Sequence, residues 1–165
     1  MTRGDLFVKA LLAAALVLAS AAVAFAEPWQ TDSFESEGEL VGLTAYKWED
    51  GVDNVLFGYE CDALFGLESL YVQTEDLYDD TAGYAPDVPT TFTVDGASYQ
   101  LTGIFQNRDG YVFTFYDGID DGFFDLFDRL LLATDTITVA FYDKRFSFSA
   151  EGIGDALAEA SAGCF

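Results

Sequence analysis

The run TTFTVDGASYQL, residues 90–101, narrows the folds open to this chain more than any other stretch. Two β-favouring segments flank Asp95-Gly96. A two-residue hairpin turn of type I′ needs positive φ at both central residues, and Asp and Gly tolerate it best. The same pattern recurs along the chain. LVGLTAY (40–46), NVLFGYEC (54–61) and LESLYVQT (67–74) alternate with period two, and the turn-rich EDG (49–51) parts the first two. NRDG (107–110) precedes YVFTFY (111–116), while TITVAFY (136–142) and RFSFS (145–149) flank Asp143-Lys144. About eight strands follow at regular spacing. Segment 75–89 is acidic, holds Pro86 and Pro89, and reads as a surface loop. Helical spacing intervenes twice. Phe123, Leu126, Phe127, Leu130 and Leu131 predict an amphipathic helix over 123–133, and Ile153, Leu157, Ala160 and Cys164 share one face of a closing helix over 152–163. The expected fold is mostly β: an antiparallel β-sandwich or curved sheet with two short helices at one end.

The first 26 residues read as a cleaved signal peptide. Arg3 and Lys9 bracket the start, 10–23 is apolar, and Ala24-Phe25-Ala26 is a small-x-small cleavage site. That apolar core is too short for a comfortable membrane span, so no membrane insertion of the mature chain is expected and the destination is periplasmic or secreted. Residues 27–38 read as a flexible acidic arm anchored by Pro28-Trp29, and 39–165 as a single β-rich domain. Cys61 and Cys164 are the two cysteines, an even count that in an oxidising compartment predicts one disulfide.

Charge and aromatic content exclude several classes. With 29 acidic and 7 basic residues and no histidine, the net charge of −22 repels phosphate backbones and anionic lipid, so no nucleic-acid partner is expected. Cations, basic partners and neutral glycans are not repelled. The 16 Phe, 9 Tyr and 2 Trp supply enough apolar area to exclude disorder.

Few stretches suggest chemistry. DGIDDGFFD, residues 117–125, matches part of a calcium loop, with Asp117, Asp121, Asp125 and Asp128 as candidate ligands. Ile119 occupies a position that needs an oxygen ligand, and a strand precedes the loop where an EF-hand has a helix. The preferred reading makes Asp120 or Asp121 the N-cap of the following helix. FTVDGAS, residues 92–98, is similar to the hydrophobic-Asp-Thr-Gly-Ala-Ser signature of retropepsin-like aspartic proteases, but Gly96 follows Asp95 directly and the hydroxyl residue is missing. Without histidine there is no Ser-His-Asp or Cys-His arrangement and no common zinc set. A carboxylate pair for hydrolysis stays open, though nothing selects one. No catalytic residue and no cofactor is assigned. Trp29, Trp48 and the Tyr-rich segment 71–84 are candidate platforms for stacking on sugars.

RFSFSAEGIGDALAEASAGC, residues 145–164, resembles the closing element of small exported Gram-negative proteins similar to invasion-associated locus B and to the periplasmic accessory proteins of type VI secretion. Phe148, Ser149, Gly152, Ala156, Leu157 and Cys164 are the matching positions, and YECDALFGLESLYVQT (59–74) resembles their Leu-x-Cys … Leu-x-Val strand pair through Cys61. Thr93 departs from the pattern, standing where such proteins often carry Arg. The resemblance implies an exported β-sandwich with one disulfide and a non-enzymatic accessory or binding role toward another envelope protein. It carries over no catalytic residue.

Overall fold

A computed structural model describes residues 28–36, 39–49, 51–52, 54–119 and 121–164. Among them the chain forms β1 Gln30–Ser36, β2 Glu39–Trp48, β3 Leu56–Asp62, β4 Leu67–Leu77, β5 Val88–Val94, β6 Ala97–Arg108, β7 Tyr111–Asp117, β8 Thr136–Phe141 and β9 Lys144–Ser149. Two helices, α1 Phe123–Leu131 and α2 Ile153–Ala162, complete the list. The expected mostly β fold is therefore present, with nine strands rather than eight. The turn-rich dipeptides act as predicted. Asp95 and Gly96 have φ of 47° and 85°, Asp109 and Gly110 of 54° and 86°, the paired positive values of a type I′ hairpin.

All neighbours are antiparallel, in the order β1-β2-β3-β4-β7-β6-β5-β8-β9. β6 joins the two halves. Its residues from Ala97 to Gly103 pair with β5, and those from Ile104 to Arg108 pair with β7. The sheet thus folds over itself within one strand, at Gly103. A Cβ there would lie 2.6 Å from Thr114 Cγ2 and 2.9 Å from the Phe115 carbonyl, so the close approach of β7 requires glycine.

The fold-over faces two layers across an aromatic core. Phe57 of β3 meets Phe92 of β5 at 6.0 Å and Phe148 of β9 at 5.7 Å, and Phe92 meets Tyr116 of β7 edge-on at 4.9 Å. α1 buries Phe123, Leu126, Phe127 and Leu130, the face expected from its spacing, and Phe127 packs on Tyr59 at 5.1 Å. α2 carries Cys164 to Cys61 of β3, with Cα atoms 5.6 Å apart, forming the expected disulfide.

Several local expectations are corrected. The arm expected at 27–38 is in fact strand β1 over Gln30–Ser36, paired along β2. Trp29 just before it is buried, donating from Nε1 to the Ser149 carbonyl at 3.0 Å. Glu49 Oε1, just past the end of β2, likewise accepts from the Ser147 N–H at 2.7 Å, so groups from the β1 and β2 ends occupy part of the last strand's open edge. The loop expected over 75–89 shortens to 78–87, because β4 runs on to Leu77, opposite Tyr111, past an irregularity after Gln73. Residues 1–26 lie outside the described part.

Two outcomes test this architecture. The disulfide closes a loop of 103 residues, so replacing both cysteines by serine should lower the unfolding free energy by about 2–5 kcal/mol in a urea titration. Gly103→Ala overpacks the fold-over and should cost about 1–3 kcal/mol in the same titration.

Candidate functional site

A one-sided antiparallel strand alternates apolar and polar residues, but β7 does not. Val112, Phe113, Thr114, Phe115 and Tyr116 are all buried. Val112 and Tyr116 take one face, while Phe113 and Phe115 take the other, where a second apolar cluster forms with Leu56 of β3 and Tyr71 of β4. Tyr46, Trp48 and Tyr111 pack around it, half buried. This outer face carries the candidate site.

Register explains its shape. Tyr71 stands opposite Gly58 on one side and Phe115 on the other. A side chain at 58 would run into the Tyr71 ring, which lies flat across the glycine. Its hydroxyl reaches Thr44 Oγ1 at 2.8 Å, and Thr44 in turn donates to the Tyr59 carbonyl at 2.8 Å. With the threonine proton so engaged, Tyr71 is the donor of the pair. Burial pushes the Tyr71 phenol up to about 12, so it stays a neutral donor.

Arg108, the last residue of β6, lies across this floor. Its Cζ sits 5.7, 5.6 and 5.6 Å from the ring centres of Tyr71, Phe113 and Phe115, within cation–π range. Its Nη1 donates to Glu60 Oε2 at 2.8 Å. The arginine side chain is 40 % exposed, so the ion pair by itself contributes about 0–1 kcal/mol. Its larger effect is positional: it divides the face into two open grooves that both include Glu60 and Arg108. One, of about 390 Å³, runs beside Tyr46, Trp48, Leu56 and Gln73. The other, of about 560 Å³, runs past Glu68, Ser69 and Asp117 to Leu67, Ile119 and Phe124.

That second groove opens on an apolar end. Leu64, Phe65, Leu67, Ile119 and Phe124 are 62 %, 74 %, 58 %, 85 % and 56 % exposed. Asp62 shapes the turn that presents the first two, accepting from the Leu64 and Phe65 N–H groups at 2.9 and 3.2 Å. The Gly118 N–H donates to the Glu68 carbonyl at 2.8 Å, which holds the Ile119 segment beside β4.

The residues singled out by sequence fall elsewhere, or apart. Asp117 ends β7, Asp121 precedes α1, and Asp125 and Asp128 are exposed on α1. Among the described residues no three His, Cys, Asp or Glu side chains are placed to hold a metal ion. The N-cap expected at Asp121 is corrected: Gly122 takes that position with helical φ and ψ. Asp120 itself lies outside the described residues. Asp125 in the first turn still suits the helix dipole.

Asp95 is a structural clamp. It accepts from the Thr134, Asp135 and Thr136 N–H groups at 3.0, 3.0 and 3.2 Å, and from Arg129 at 3.3 Å. These bonds, the one from Thr134 foremost, hold its carboxyl below the usual carboxylate range. Of the sugar platforms, Trp29 is in the core, Trp48 and Tyr71 line the first groove, and Tyr78 stacks on Tyr84 at 4.8 Å in the 78–87 loop. Arg108 and Glu60 are 48 residues apart in sequence, and the local signal for the face they share is the row Tyr111, Phe113 and Phe115 along one side of YVFTFY, with Tyr116 on the other.

The site thus belongs to a mostly β chain whose folded sheet keeps an aromatic outer face. No family model, curated protein or solved structure matches the chain.

Asp95 gives a pH test. Its folded-state pKa is depressed, so its contribution is full above the unfolded value near 4 and fades as pH falls through the folded value. Asp95→Asn should lower the melting temperature at pH 7, and the gap from the parent chain should close in strong acid.

Proposed function

We propose that the chain is an exported, non-enzymatic accessory protein of the cell envelope that binds another envelope protein at its apolar end. The observation that carries this reading is the grouping of Leu64, Phe65, Leu67, Ile119 and Phe124, all more than half exposed, on neighbouring segments. Soluble chains seldom leave such a group uncovered without a partner for it. Glu60, Asp62, Glu68 and Asp117 line the adjoining groove, so the complementary surface carries basic residues around an apolar anchor. The leader-like residues 1–26, the disulfide and the likeness of residues 145–164 to small exported Gram-negative proteins support the placement in an oxidising compartment.

The test uses residues 27–165 immobilised and exposed to envelope extract, in parallel with a Phe65→Asp, Phe124→Asp double variant. Both side chains are exposed, so the variant should keep the parent's circular dichroism. The parent should retain one stable protein that the variant loses, with retention falling as salt rises. If the parent retains nothing, or the variant retains the same protein, the reading is wrong.

A further inference from the structure

The groove on the other side of Arg108 has a different chemistry, and it does not depend on the partner reading. We infer that the groove beside Tyr46 and Trp48 is a subsite for a glycan built of neutral or amino-bearing pyranose units. A pyranose ring has an apolar C–H face and a rim of hydroxyls, so its site needs a flat ring to stack on and fixed polar groups at the edge. The groove supplies both. Tyr46 and Trp48 alternate onto the outer face of β2 and present half-buried rings to the groove, while Arg108, lying over the buried Tyr71 and Phe113 rings, forms the polar part of its floor.

The polar groups at its edge are held in place by their own partners. Glu60 is fixed by Arg108 at 2.8 Å, Gln73 by its Nε2 on the Asn54 carbonyl at 2.9 Å, and Tyr46 by its hydroxyl on Gln30 Oε1 at 3.1 Å. Side chains locked in this way lose little freedom when a ligand arrives, which favours binding. A carboxylate accepts from vicinal sugar hydroxyls, and the guanidinium donates to ring or hydroxyl oxygens. The volume of about 390 Å³ falls in the range of small-ligand sites.

Charge selects among glycans. Asp32, Glu60 and Asp109 line the groove, Arg108 is already paired, and the whole chain carries −22. Uronic-acid and sulfated chains are therefore repelled, while neutral and amino sugars are admitted.

Calorimetry on residues 27–165 tests this with four probes: cellohexaose, chitohexaose, its fully deacetylated form, and an oligogalacturonate of equal length. Saturable binding of at least one of the first three is expected, with none of the oligogalacturonate. Trp48→Ala should weaken binding about tenfold or more, Trp48→Tyr should restore most of it, and the Phe65→Asp, Phe124→Asp variant should bind as the parent does. Tyr46→Ala, on the same wall, gives a second reading should Trp48→Ala fail to fold. No saturable binding by any of the three probes overturns the inference. So does binding of the oligogalacturonate, or an affinity for the deacetylated chain that 0.5 M salt abolishes (roughly a 4 Å Debye length) and that Trp48→Ala leaves unchanged.

Discussion

The fold depends on one strand serving two halves of a sheet. β6 pairs through its first seven residues with β5 and through its last five with β7, and the break falls at Gly103. A side chain at that point would collide with Thr114 and with the Phe115 backbone, so only glycine lets the layers close over Phe57, Phe92 and Phe148. Closure then brings side chains from the start of β1 and the end of β2 to the backbone of β9. Trp29 and Glu49 occupy part of the edge of β9 from positions 120 and 98 residues away. A sheet edge left open there would be a template for aggregation; here it is occupied by groups of the same chain.

Closing the core on one face leaves the other face of β2, β3, β4 and β7 outside, and that face is not an ordinary polar surface. Phe113, Phe115 and Tyr71 are kept from water there by Arg108, which stacks on the rings with its guanidinium and pairs with Glu60. One cation amid a large excess of acid thus has two effects: it covers an aromatic floor and it partitions the surface. The two grooves differ for that reason. One ends among exposed Leu, Ile and Phe side chains, the other among half-buried Tyr and Trp with polar groups held in place.

Much of the local structure was legible. Asp95-Gly96 and Asp109-Gly110 make the hairpins their chemistry predicts, α1 and α2 lie within two residues of their expected ends, and Cys61 meets Cys164. β1 was not legible, because QTDSFES has no apolar alternation and is held by its ladder to β2 and by Trp29. Asp95 makes its hairpin as read, but nothing local showed that its carboxylate is committed to three backbone N–H groups some 40 residues away. The candidate site was half visible. Trp48 and Tyr71 stood out as aromatics, but Arg108 and Glu60 did not.

Outside β1 and the end of β4, the sequence by itself determined which residues extend, which turn and which coil, since these follow from periods of two and 3.6 and from the φ preferences of Asp and Gly. It also determined the pair of sulfurs and the sign of the field around the protein. Only the tertiary structure decided that β4 lies beside β7, that β6 folds over at Gly103, and that Arg108 crosses three rings to Glu60. Those facts rest on strand pairings distant along the chain. Register and curvature, rather than local preference, choose which side chains share a face.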